Sequence, residues 1–116
     1  MAIERMQKGA RMSQIVVHGD VVYLAGQVAL EAPDQSATAQ TQDILARIDT
    51  LLAEVGTDKS RLLSATIWLT DIRYYDEMNA IWDAWIDPAN PPARACVESK
   101  LAMPKYDVEI MVTAAR

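Results

Sequence analysis

Between Ala37 and Val55 the apolar positions Ile44, Leu45, Ile48, Leu51, Leu52 and Val55 recur with the 3.6-residue period of an amphipathic helix. Ser36 stands where a side-chain oxygen satisfies an orphan N–H of the first turn, and Gly56 where a left-handed residue ends a helix. On both sides of this helix the pattern changes to short β-branched runs. Gln14–His18 and Val21–Gln27, split by Gly19-Asp20, predict a β-hairpin. Residues 31–36 are loop-like, and Leu62–Leu69 predicts a third strand. Met78, Ile81, Trp82 and Trp85 mark one face of a second helix from about Tyr75 to Ile86. Pro88, Pro91 and Pro92 then break the chain.

Ala93–Glu98 predicts a fourth strand and Met103-Pro104 a turn. Tyr106–Ala114 predicts a last strand, with Val108, Ile110, Val112 and Ala114 on one face and Glu109, Met111 and Thr113 on the other. The resulting β-β-α-β-α-β-β order predicts an α+β fold, a mixed sheet with two helices packed on one face. A chain of 116 residues, 51% apolar and without linkers or repeats, is expected to form one domain over 1–116. The second sheet face carries apolar groups that need covering, so an oligomer is expected.

The formal charge of −5, with 11 basic residues scattered along the chain, argues against nucleic acid or anionic membranes as partners. The amino-terminal residues Met1-Ala2-Ile3-Glu4-Arg5 have no secretory pattern, and no apolar run approaches membrane-spanning length. Cytoplasmic residence is the default expectation. The single cysteine, Cys96, allows no intrachain disulfide or thiolate metal cluster, and no phosphate-cradling glycine loop is present, so neither metal nor cofactor is expected.

Two side chains carry most of the chemical information. Arg94 lies inside a short apolar strand, where an unpaired guanidinium must reach solvent or meet an anion. Its planar fork matches a carboxylate in bidentate fashion. The alternative is a strand-edge Arg that snorkels or pairs with an internal acid. Glu109 sits mid-strand between Val108 and Ile110, where acids are depleted. It suits a general acid–base or water-positioning role if it lines a pocket; otherwise it faces solvent or forms an ion pair, with Arg94 itself as one candidate. Cys96 reads first as a small buried apolar group. His18, beside a turn, is expected to be exposed, and Trp82 and Trp85 to pack in the core.

Pro92-Ala93-Arg94-Ala95-Cys96-Val97-Glu98, then Met103-Pro104-Lys105 and Val108-Glu109-Ile110, resemble the signature of the RidA (reactive intermediate deaminase, YjgF-like) family. Gly26-Gln27 and Met78-Asn79-Ala80 also match it, so the resemblance covers nearly the whole chain in order. Ala10-Arg11-Met12-Ser13 and Met103-Pro104-Lys105-Tyr106 bring it closest to the YoaB-like branch.

The resemblance implies a chorismate-mutase-like fold and a homotrimer with active sites between subunits. It implies cofactor-free hydrolysis of enamines and imines, such as 2-aminoacrylate and 2-iminopropanoate, to 2-oxo acids and ammonia. By the same resemblance Arg94 grips the substrate carboxylate and Glu109 holds the attacking water. Cys96 contributes its backbone and shapes the pocket, and Asn79 stands at the site edge. Two positions depart from the family pattern: Met12 replaces a tyrosine, with Arg11 beside it, and Ala25 replaces a serine just before Gly26. Both remove a hydroxyl from the pocket, so the preferred imine is expected to be larger or more apolar. The competing expectation is a non-catalytic trimer that binds 2-oxo acids as a metabolite regulator.

Overall fold

Alternation along the last strand puts Val108, Ile110, Val112 and Ala114 on one side, and all four are buried. A computed structural model, which describes residues 1–116, places this strand at the centre of a mixed sheet. The elements are β1 (Ile3–Lys8), β2 (Ser13–His18), β3 (Val21–Leu24), β4 (Gln27–Val28), α1 (Ala37–Glu54), β5 (Leu62–Leu69), α2 (Tyr75–Trp85), β6 (Ala93–Glu98) and β7 (Val108–Ala115). The sheet order is β1-β2-β3-β7-β5-β6, with β4 also paired to β7. Only the β5–β6 pair is parallel. Ile44, Leu45, Ile48 and Leu52 of α1, with Met78 and Trp82 of α2, close the core against one sheet face. The α+β fold with two helices on one face is therefore as expected. No helix is long and apolar enough to cross a membrane.

Local signals account for the boundaries. Ser36 Oγ accepts from Ala39 N at 3.1 Å and caps α1, while Gly56 follows it at φ +76°. Gly19 at φ +61°, in a two-residue turn between His18 and Val21, has the positive φ that a type II′ hairpin requires at its first central position. His18 is exposed beside that turn.

Three features differ from the sequence expectation. β1 has no apolar period, and no element is assigned to these residues from sequence. It is an edge strand with almost every side chain exposed, held by its ladder to β2, and its charges protect the edge. β7 starts at Val108 instead of Tyr106. The preceding Asp107 N–H is taken by the fully buried Gln40 Oε1 at 2.8 Å, and Tyr106 is buried off the ladder.

The third difference matters for the site. The run Val21–Gln27 is not one strand. Tyr23 lies opposite Thr113 and Gln27 opposite Ile110, so Leu24, Ala25 and Gly26 face only Met111 and Val112. This is the two-strand mismatch of a β-bulge, a device that re-aims side chains beside a functional site. The far sheet face exposes Tyr23, Val97 and Met111, with Trp68 half-buried among them.

Candidate functional site

Arg94 lies opposite buried Ala65 in the parallel β5–β6 pair, so its side chain rises on the helix side of the sheet. There it meets α2. Nη1 donates to Asn79 Oδ1 at 2.8 Å and Nη2 to Tyr75 OH at 3.3 Å. The guanidinium carbon sits 5.3 Å from the Trp82 ring centroid and 5.9 Å from that of Tyr75. Such stacking fixes the plane of the fork without neutralising it. The chain's two ion pairs, Arg73–Asp71 and Arg116–Glu4, leave Arg94 out. An open cleft of about 570 Å³ is lined here by Ile72, Arg73, Tyr75, Asp76, Arg94 and Cys96. The arrangement is a preoriented cation with neutral partners, able to take an anion in its remaining donors.

Cys96 lies two residues on, half-buried on the same side. Burial pushes its thiol pKa up, and nearby Arg94 pulls more weakly the other way. A thiol held protonated is a poor nucleophile, in keeping with a space-filling role.

Glu109 lies opposite Trp68 and Val28, on the far face of the sheet. Its carboxylate folds over Gly26, in the bulge. Burial pushes its pKa above the ordinary 4.5. Met12 and Gly26 share a cavity of about 220 Å³ with Gln14, Gln27 and Arg47. Ala25, whose N–H donates to Gln14 O at 2.9 Å, sits at the same bulge.

The expected site residues thus fall into two groups. Arg94, Cys96 and Asn79 meet on the helix side near the β6 edge. Glu109 reaches the bulge at Gly26 from the other face, while Met12 and Gly26 line the cavity that Arg47 of α1 also walls, with Ala25 beside Gly26 in sequence. Arg94 and Glu109 do not pair within one chain. Tyr75 and Trp82, which orient Arg94, are not singled out for that role by the sequence, where Trp82 reads as a packing position at helical spacing and Tyr75 only as the start of the helix. No cluster of His, Cys, Asp or Glu side chains has a metal-holding arrangement.

The raised pKa of Glu109 has a consequence for stability. The unfolded carboxyl ionises near 4.5 and the folded one higher, so the folded state keeps a proton that the unfolded state loses. Stability attributable to this group is full below the unfolded value and declines until pH passes the folded one. Glu109→Gln should therefore leave Tm nearly unchanged below about pH 4 and raise it modestly at about pH 8. A Tm difference that is constant over this range, measured by thermal unfolding, would remove the burial argument.

Comparison with known proteins agrees with this fold. The family model described as endoribonuclease L-PSP matches residues 2–116. A RutC family protein of Haemophilus influenzae is 44% identical over 114 residues, covering 98% of each chain. The RutC family protein YoaB of Escherichia coli is 41% identical over 115 residues, covering 99% of each. The crystal structure of a YjgF-family member from Neisseria meningitidis superposes with a TM-score of 0.96 at 43% identity, covering 100% of this chain and 96% of that one.

Proposed function

The chain belongs to the endoribonuclease L-PSP family, whose members also carry the names RutC and YjgF, and we propose that it hydrolyses reactive imines and enamines to 2-oxo acids and ammonia. The observation that carries this reading is Arg94, a guanidinium held flat by Asn79, Tyr75 and Trp82 with no carboxylate of its own. Such a group favours a small ligand that brings the carboxylate.

In the proposed reaction the carboxylate of the 2-imino acid docks on Arg94. Water adds to the C=N carbon, forming a C–O bond as the π electrons move to nitrogen. Two protons pass in turn from the added oxygen to nitrogen, the second as the C–N bond breaks and the C=O bond forms, and ammonia and the 2-oxo acid leave. Glu109 orients the water and relays each proton. A carboxyl with a raised pKa suits a group that must both accept and return a proton. The imine carbon is already electrophilic when protonated, so orientation and proton transfer are the main requirements.

Arg94 and Glu109 lie on opposite sheet faces, so one chain alone does not bring them to one substrate. The reading therefore includes a homotrimer in which Arg94 of one subunit faces Glu109 of its neighbour. The exposed Tyr23, Val97 and Met111 give that neighbour an apolar surface to cover. RNA cleavage, which the family description names, fits less well, because a chain of formal charge −5 lacks a basic track for phosphates.

The test is release of ammonia from imines made in situ by an amino-acid oxidase acting on alanine, leucine or aspartate. Wild type is expected to accelerate release, and Glu109→Gln to lose most of that acceleration. A folded, oligomeric wild type that accelerates none of the three would overturn hydrolysis. It would leave a 2-oxo-acid-binding regulator, which needs Arg94 and not Glu109.

A further inference from the structure

The cavity beside Gly26 has an unused cation in its wall. Arg47 projects from α1 and lines both this cavity and an adjoining one of about 190 Å³, sharing Gln14 and Gln27 between them. Its Nε is buried with no acceptor, and neither ion pair of the chain includes it. Acids one and two turns away along the helix are engaged elsewhere. Asp43 Oδ2 accepts from Glu31 N at 3.1 Å, and both Glu54 oxygens accept from Gln7 Nε2 at 3.0 Å. An i,i+4 Asp–Arg pair is thus available in sequence and not made.

One of the two neighbouring amides leaves its donors open as well. Gln27, only 3% exposed, donates Nε2 to Gln14 Oε1 at 2.8 Å and to Ala25 O at 3.0 Å. With its oxygen occupied in this way, Gln14 has its amide N–H groups left for a ligand. A buried guanidinium N–H without an acceptor is an unsatisfied donor, and a convergent set of donors selects an anion. The cavity also adjoins the Glu109 half-site, because Gly26 lines it and touches the Glu109 carboxylate.

We propose that Arg47, with Gln14, is a subsite for a second carboxylate at the far end of the substrate side chain, so that the preferred ligands are 2-imino and 2-oxo dicarboxylic acids. This rests on the reading of the cleft as a 2-imino- or 2-oxo-acid site. One carboxylate docks on the neighbour's Arg94, the reacting carbon lies by Glu109, and the side chain passes Gly26 and Met12 to Arg47. Met12, Val28 and Leu30 give the passage an apolar lining that suits a longer side chain, and Arg47 with the Gln14 amide gives it a cationic, donor-bearing end that favours a terminal carboxylate.

Two measurements on the assembled protein separate this subsite from the hydrolytic reading. Calorimetric titration with 2-oxoglutarate and 2-oxobutanoate reads the subsite alone. Wild type is expected to bind the dicarboxylate at least about tenfold more tightly. Arg47→Met, which keeps the aliphatic stem, should bring the ratio of the two affinities near one, and Arg47→Lys should keep part of it. Equal affinities in wild type, or a preference that survives Arg47→Met in folded protein, overturns the subsite. Hydrolysis of the imines generated from glutamate and 2-aminobutanoate reads the chemistry. A binding preference without acceleration of either imine keeps the subsite and overturns hydrolysis. Acceleration of both imines without any preference does the reverse.

Discussion

Arg94→Ala is expected to lower kcat/KM for imine hydrolysis by about 100- to 1,000-fold, with the protein still folded and assembled. The magnitude follows from two charge-assisted hydrogen bonds to the substrate carboxylate, each about 1.5–3 kcal/mol, less what water restores. Fold loss is not expected, because Arg94 sits at an edge strand and its protein partners are Asn79 and Tyr75, both able to turn to solvent. Arg94→Lys should recover only a small part, since an ammonium is a point donor and lacks the fork. Progress curves for ammonia release, with circular dichroism as the control for folding, check both. Wild-type kinetics in Arg94→Ala would withdraw Arg94 from the site.

The opposite placement of Arg94 and Glu109 sharpens this test. Mixing Arg94→Ala with Glu109→Gln and allowing subunit exchange should restore activity to about a quarter of the wild-type sites, because some interfaces then pair an intact Arg94 with a neighbour's intact Glu109. Two residues acting from one subunit would give no recovery.

Gly26→Ala is expected to lower kcat by about 10- to 100-fold while leaving Tm within a few degrees of wild type. A Cβ at Gly26 would fall inside van der Waals contact with Glu109 Oε2 and 3.1 Å from its Cδ. The obstruction is the end of a flexible side chain, so the carboxylate swings away and the backbone stays put. Gly26 is not among the positive-φ glycines, which are Gly19 and Gly56, so alanine meets no backbone strain there. The expected profile is that of a misplaced water-binding group. Steady-state kinetics beside thermal unfolding reads it, and an unchanged kcat would mean that the position of Glu109 does not matter to the rate.

Strong periodicity made much of this molecule legible in advance. Ile44 to Val55 and Val108 to Ala114 read correctly as helix and strand because each buries one complete face, and burial is what imposes a hydrophobic period. Ser36, Gly19 and Gly56 were legible because caps and turns act over a few bonds. Arg94 and Glu109 stood out as charges in apolar strands, and their sheet faces followed from alternation once the register was known. β1 was not legible, since an edge strand with exposed side chains is held by backbone ladders that leave no mark on side-chain pattern. The break at Ala25-Gly26 also escaped, because a bulge arises from how β4 registers against β7, residues more than eighty positions away. Arg47 looked like an ordinary polar position of an amphipathic helix. Its lack of a partner became visible only when packing committed Asp43 to Glu31 and Glu54 to Gln7, since which acids a cation can reach depends on neighbours that folding brings together.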